Sequence, residues 1–180
     1  YQVTEDESYA RAALHMGVDG VELDVRHTKD EVLVLMHDSS LERTTGNTAK
    51  VGEMSAAEVT AIPLLPPPNE DAPGDFSCER VPTLADAFEL TRDRLFIDLD
   101  TKTSRIDLVV AAIAGADLYD QVFISGSDVA RAVEAREIDP KIRVQIRPDT
   151  ILEYEQARAL FGRMPEIIEV PSALVADIAA

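Results

Sequence analysis

Two acids stand one residue apart at Glu22-Leu23-Asp24, inside an alternating run, VDGVELDVR, at 18–26. Side chains alternate across a strand. Both carboxylates therefore leave one face, about 7 Å apart along it, while Val21, Leu23 and Val25 take the other. Two anions held side by side repel one another unless a cation neutralises them. Carboxylate oxygens at this density suit Mg²⁺ or Ca²⁺ rather than zinc or copper. For Glu-x-Asp taken alone, a solvated strand face is the plainer outcome.

A second apolar run, EVLVLMH at 31–37, ends on a histidine that is followed by an acid, His37-Asp38. Only Thr28-Lys29-Asp30 or so separates the two runs, which predicts an antiparallel hairpin. With Lys29-Asp30 as a two-residue loop, Thr28 faces Glu31 and His37 falls opposite Glu22, about 5 Å away on the same face. Imidazole is the side chain best matched to proton transfer near neutrality, so this register would set an acid–base group beside a cation site. A histidine that merely hydrogen-bonds Asp38 or backbone fits the same residues.

The third candidate ligand is Asp98, in LFIDLD at 95–100. A carboxylate inside an apolar strand is costly to bury without a partner. Catalytic residues of parallel barrels sit toward the C-terminal ends of strands. Asp100 shares its face, and pairing with Lys102 or capping the next helix is the competing role for an acid there. Arg43, in the turn Arg43-Thr44-Thr45-Gly46, and Arg147, ending IRVQIR at 142–147, are lesser candidates for contact with a substrate anion. No Gly-x-Gly-x-x-Gly, Walker loop or Gly-x-Ser-x-Gly elbow is present.

The elements that must position these residues are legible in outline. Residues 5–16 predict a helix that stops at Gly17. Residues 46–80 read as irregular, with a stiff Pro66-Pro67-Pro68 piece. From Val81 onward helices at 84–91, 104–115, 128–136, 150–161 and 172–180 alternate with strands at 95–100, 121–125, 142–147 and 166–170. Thr83, with Asp86 three residues on, caps the first of them. Alternation at this spacing predicts an α/β fold with a parallel sheet wrapped by helices, either doubly wound or a (β/α)₈ TIM barrel. A barrel needs eight strands, and five are counted here if 31–37 is an excursion. The barrel reading therefore expects a chain that is incomplete at both ends.

The 180 residues carry 17 basic and 34 acidic side chains, a net charge of −17 and a pI near 4.4. Length and 46% apolar content are consistent with one globular domain over 1–180. The acidity argues against nucleic acid or an anionic membrane surface as partner. No apolar run is long enough to span a bilayer. The single Cys78 forms neither an internal disulfide nor a zinc site by itself, and leaves the compartment open.

The run GVDGVELDVRHTKDEVLVLMHDSSLERTTG, residues 17–46, closely resembles the signature of glycerophosphodiester phosphodiesterases. That family shows G-A-D-x-x-E-x-D-V, then T-K-D-G, then a hydrophobic strand ending in H-D, then L-x-R-T-T-x-G. VPTLADAFEL, LFIDLD, VFISG and EIIEVP resemble its later segments. The resemblance implies a TIM barrel and a divalent cation, usually Ca²⁺ or Mg²⁺. It implies Glu22 and Asp24 as metal ligands, Asp98 at the third acidic position, and His37 as one of two catalytic histidines. It also places the family's H-R-G motif just upstream of Tyr1 and the last two barrel strands beyond Ala180, and it puts Asp100 where a Lys usually follows the third acid. Lacking half of the acid–base pair, residues 1–180 are expected to be inactive by themselves.

The activity so implied is metal-dependent hydrolysis of glycerophosphodiesters, small-molecule substrates, to glycerol phosphate and an alcohol. Two alternatives stay open at this point. One is a degenerate cation- or ligand-binding barrel without turnover. The other is a related phospholipase, of the sphingomyelinase D or phosphatidylinositol phospholipase C type.

Overall fold

A computed structural model describes residues 13–65, 78–126, 129–160 and 164–175, in two compact units, 1–97 and 98–180. In the first unit, residues 13–16 close a helical turn that Gly17 ends in the left-handed conformation, φ 69°. The Val18 N–H returns to the Ala13 carbonyl at 3.4 Å, a six-to-one closure of the Schellman kind. The remainder of the helix expected over 5–16 lies outside the described residues.

Strand β1 (Gly20–His27) has the expected alternation: Val21, Leu23 and Val25 are buried, and Glu22, Asp24 and Arg26 share the other, half-buried face. Gly20 is required at its start. A Cβ there would lie 3.0 Å from the Phe96 carbonyl oxygen, where the Phe96 N–H donates to the Asp19 carbonyl at 2.9 Å. Strand β2 (Leu33–Leu35) pairs antiparallel with β1, so the hairpin is present, but in a different register.

Its loop has three residues, Lys29, Asp30 and Glu31. Thr28 and Val32 close it: the Thr28 N–H donates to the Val32 carbonyl at 2.9 Å, and Thr28 Oγ1 bonds both the Val32 N–H and carbonyl at 3.1 Å. Glu31 takes the left-handed conformation, φ 64°, that such a loop needs at its last position. The Asp30 carboxylate, held by Thr28 Oγ1 and by the Ala56 N–H, rigidifies the turn. Observed pairs are Val25 with Leu35, Arg26 with Val34 and His27 with Leu33. The extra loop residue shifts every partner by one, so the expected His37–Glu22 pairing does not form. Paired structure in β2 also ends at Leu35, two residues before His37.

The segment expected to be irregular is partly ordered. After β2, the short helix α1 (Glu42–Thr45) ends on Gly46 at φ 75°. A 3₁₀ turn (Val51–Glu53) and helix α2 (Ala56–Thr60) follow. Ser55 and Glu58 form a complete capping box on α2, a pattern legible in Ser-x-x-Glu that composition alone obscured. Val51, Val59 and Leu64 join Val34, Met36, Leu41 and Val81 in one apolar cluster, so this stretch builds core under the end of β2. The prolines at 66–68 fall outside the described residues. Helix α3 (Leu84–Thr91) carries the expected cap, with both Thr83 and Asp86 reciprocally bonded, and buries Leu84, Ala87 and Phe88.

Strand β3 (Phe96–Thr101) runs across the boundary between the units. In the second unit β3, β4 (Val122–Ser125), β5 (Arg143–Ile146) and β6 (Ile167–Ile168) are hydrogen-bonded in that order. The β4–β5 and β5–β6 pairs are parallel. Helices α4 (Ile106–Ala116), α5 (Val129–Ile138) and α6 (Ile151–Leu160) alternate with them, each within two residues of its expected bounds. Helix α4 buries Ile106, Val109, Val110 and Ile113. The Glu166 carboxylate takes the Val144 N–H at 2.8 Å and a buried Arg136 guanidinium at 2.5 Å, which ties the approach to β6 to β5 and α5. The helix expected from 172 begins as a 3₁₀ turn, Ser172–Leu174. Strands alternating with helices are therefore present as expected, with one antiparallel arm in the first unit and parallel pairing in the second. Among the described residues no helix is long and apolar enough to cross a membrane.

Candidate active site

The first unit places Glu22 and Asp24 together on the half-buried face of β1, as the period of two requires. Arg26, the next residue on that face, belongs to none of the candidate groups named from the sequence. Its guanidinium donates to the His37 carbonyl from Nε at 3.0 Å and from Nη2 at 2.7 Å. It therefore fixes the backbone of the histidine that the short β2 leaves outside the ladder. The alternation Glu22-x-Asp24-x-Arg26 was the available signal for it.

His37 is half-exposed, its side chain 47% accessible, directly after fully buried Met36. Its Nδ1 lies 2.8 Å from Asp38 Oδ1, and Arg43 Nε donates to Asp38 Oδ2 at 2.6 Å. These hydrogen bonds from Arg43 and His37 hold the Asp38 carboxyl below the usual carboxylate range. Arg43 thus stands behind Asp38. This pairing takes the place of the substrate-anion contact expected for Arg43.

The second unit holds a denser ionic group. Asp100 is buried, with Lys102 Nζ 2.9 Å from its Oδ2. Arg147, just beyond β5, reaches three carboxylates: Asp98 at 3.3 Å, Asp100 at 3.7 Å and Glu169 at 2.8 Å. Gln145 Nε2 holds Glu169 from the side at 2.9 Å. Burial opposes the Arg147 charge, but Asp98, Glu169 and Asp100 outweigh it and push the pKa above its ordinary value. Burial pushes the Asp98 carboxyl up, against the Ser125 hydroxyl and the Arg147 guanidinium. Gly126, at φ 153°, lets the chain turn next to Asp100. A side chain there would be strained and would stand 3.6 Å from Asp100 Oδ1.

Asp98 sits mid-strand, whereas Asp100 is one residue from the end of β3. The spacing of an acid followed two residues later by a lysine, expected at Asp98 and missing there, occurs at Asp100-Thr101-Lys102, and those two side chains are in contact.

The glycerophosphoryl diester phosphodiesterase family matches residues 6–112, more than half of the chain, a span that includes Glu22, Asp24, His37, Asp38, Asp98 and Asp100. This chain belongs to that family. A glycerophosphodiester phosphodiesterase of Bacillus altitudinis is 35% identical over 190 aligned residues, covering 92% of this chain and 73% of its own. Another, from Caldanaerobacter subterraneus subsp. tengcongensis, is 28% identical over 141 residues, 74% of this chain and 56% of its own. The chain therefore spans little more than half the length of that relative. The crystal structure of a glycerophosphodiester phosphodiesterase from Agrobacterium tumefaciens str. C58 superposes with a TM-score of 0.75 at 27% identity, covering 92% of this chain and 68% of that one. Family and structural likeness together give a TIM-barrel-like α/β fold.

Proposed function

We propose that residues 1–180 form part of one phosphodiesterase barrel domain, and that the protein hydrolyses glycerophosphodiesters to glycerol phosphate and an alcohol. The observation that carries the reading is a family match spanning the paired acids of β1 and the half-exposed, carboxylate-held His37. By the family resemblance Glu22 and Asp24 would be ligands of one divalent cation, and the acid-x-lysine spacing at Asp100-Thr101-Lys102 favours Asp100 over Asp98 for the third acidic position. The donor set fits such an ion. It is all carboxylate oxygen, from half-buried and buried side chains, which suits Ca²⁺ or Mg²⁺. When bound, the ion would offset charge on the phosphodiester and lower the pKa of an alcohol or water.

The chain's own residues do the rest. His37 accepts or donates a proton at one phosphorus–oxygen bond, as one of the two histidines of this chemistry. Arg26 holds its backbone in place. Lys102, beside Asp100, supplies positive charge for the phosphate in a protein of net charge −17. Arg147 is matched by three carboxylates, so its part is to hold Asp98, Asp100 and Glu169 rather than to bind substrate alone.

Measured on glycerophosphodiesters with the full-length protein, chelation of divalent cations should abolish turnover, and Glu22→Ala or His37→Ala should cost at least about a hundredfold in kcat. Full activity of a doubly substituted Glu22→Ala, His37→Ala protein would remove the assignment. Parallel assays on intact lysolipid and on deacylated substrates separate the glycerophosphodiester reading from a phospholipase.

A further inference from the structure

The turn Arg43-Thr44-Thr45-Gly46 is built with more care than a solvated loop needs. Leu41, fully buried, anchors its start among Val34, Met36 and Val51. Thr45 Oγ1 donates back to the Leu41 carbonyl at 2.7 Å and accepts the Asn47 N–H at 3.1 Å. The Thr44 carbonyl takes the Leu65 N–H at 2.7 Å, and the Leu41 N–H bonds the Ala49 carbonyl at 3.0 Å. Thr44 Oγ1 also meets the sulfur of Met36, the residue before His37, at 3.7 Å. The turn is thus stapled to the core and to the end of β2, and what it presents from that platform is Arg43, on Asp38.

We propose that Arg43 and Asp38 are positioning residues for His37: Arg43 holds one oxygen of the Asp38 carboxylate, whose other oxygen fixes the orientation and tautomer of the imidazole. Hydrogen-bond capacity decides which ring nitrogen carries the proton. An ionised carboxylate only accepts, so His37 Nδ1 must be the protonated ring nitrogen, and Nε2 then carries the lone pair able to take a proton. A carboxylate with one anchored oxygen cannot swing away from the ring without breaking a 2.6 Å charge-assisted bond. Arg26, gripping the His37 carbonyl with two N–H groups, fixes the other end of the residue. Ring and backbone are each held by an arginine, one directly and one through Asp38.

This inference rests on the reading of His37 as the proton-transfer group, but its first test does not need turnover. Ring ¹⁵N shifts of neutral His37, recorded on the full-length protein, should show the Nδ1–H tautomer. Asp38→Asn should lose that preference, and Arg43→Gln should weaken it while backbone spectra stay folded. In kinetics Arg43→Gln should lower kcat about tenfold and Asp38→Asn about a hundredfold, with KM for a glycerophosphodiester changed less than twofold. Arg43→Lys, which keeps the charge but lacks the planar fork, should fall between wild type and Arg43→Gln. A wild-type Nε2–H tautomer would overturn the relay. So would an Arg43→Gln protein with unchanged tautomer and kcat but a tenfold higher KM, which would make Arg43 a substrate contact. If the tautomer results hold and His37→Ala is fully active, the relay stands and the catalytic reading of His37 fails.

Discussion

At the scale of single residues, the decisive feature is which charges are matched and by what. Glu22 and Asp24 share one strand face, and an ion bound to them would stabilise only the folded state. A thermal shift on adding about 5 mM Ca²⁺ or Mg²⁺, of a few degrees, should therefore disappear in Asp24→Ala and in Asp100→Ala, but persist in Asp98→Asn. A shift that survives Asp100→Ala and is lost in Asp98→Asn would return the third ligand to Asp98. Asp38 yields a separate pH prediction. Its folded pKa lies below the unfolded value, so its contribution to stability is present above about pH 4 and is lost as pH falls through the folded pKa. Asp38→Asn should therefore be less stable than wild type at neutral pH, and the difference should shrink steadily on acidification, read from urea midpoints across that range. Glu22, Asp24, Asp98, His37, Arg43 and Arg147 were legible as candidates in the sequence. The link from Arg43 through Asp38 to the ring was not, because it depends on a turn held by Leu41 and Thr45 rather than on any spacing.

At the scale of elements, the β1–β2 hairpin shows how one loop residue redirects a site. TKDE reads as a two-residue turn, but the loop closes between Thr28 and Val32, with Glu31 in the left-handed region. The resembling family has Gly at that place. A side chain at φ 64° costs about 1–2 kcal/mol, part of which Gly gives back through its freer unfolded chain. Glu31→Gly should thus raise the melting temperature by a few degrees, for about 1 kcal/mol, without altering activity. No gain, or a loss, would mean that other interactions of Glu31 outweigh its backbone strain. Leu41→Ala tests the platform under Arg43: truncation at a fully buried site costs about 2–5 kcal/mol, and it should also lower kcat, since the turn carrying Arg43 loses its anchor. Helices capped by local signals, such as α3 with Thr83 and Asp86, were readable to the residue. Strand ends were not, because a strand stops where its partner does.

At the scale of the whole molecule, 34 acidic against 17 basic side chains make self-repulsion a standing cost of compactness. Raising NaCl from about 20 mM to about 0.5 M should stabilise the protein, visible as a higher melting temperature, since the screening length falls from tens of ångströms to a few. A flat or falling melting temperature would show that local ion pairs, such as those of Arg147 and Arg136, outweigh the net charge. The order of elements, the apolar face of β1, the capping boxes and the family signature over 17–46 were determined by the sequence itself, because each depends on neighbours within a few residues. Tertiary structure alone decided the hairpin register, the place of Asp100 beside Lys102, the three carboxylates around Arg147 and the turn behind His37. Those depend on which distant groups fill the remaining hydrogen-bond and charge requirements once the chain has packed, and no periodicity in the chain encodes that choice.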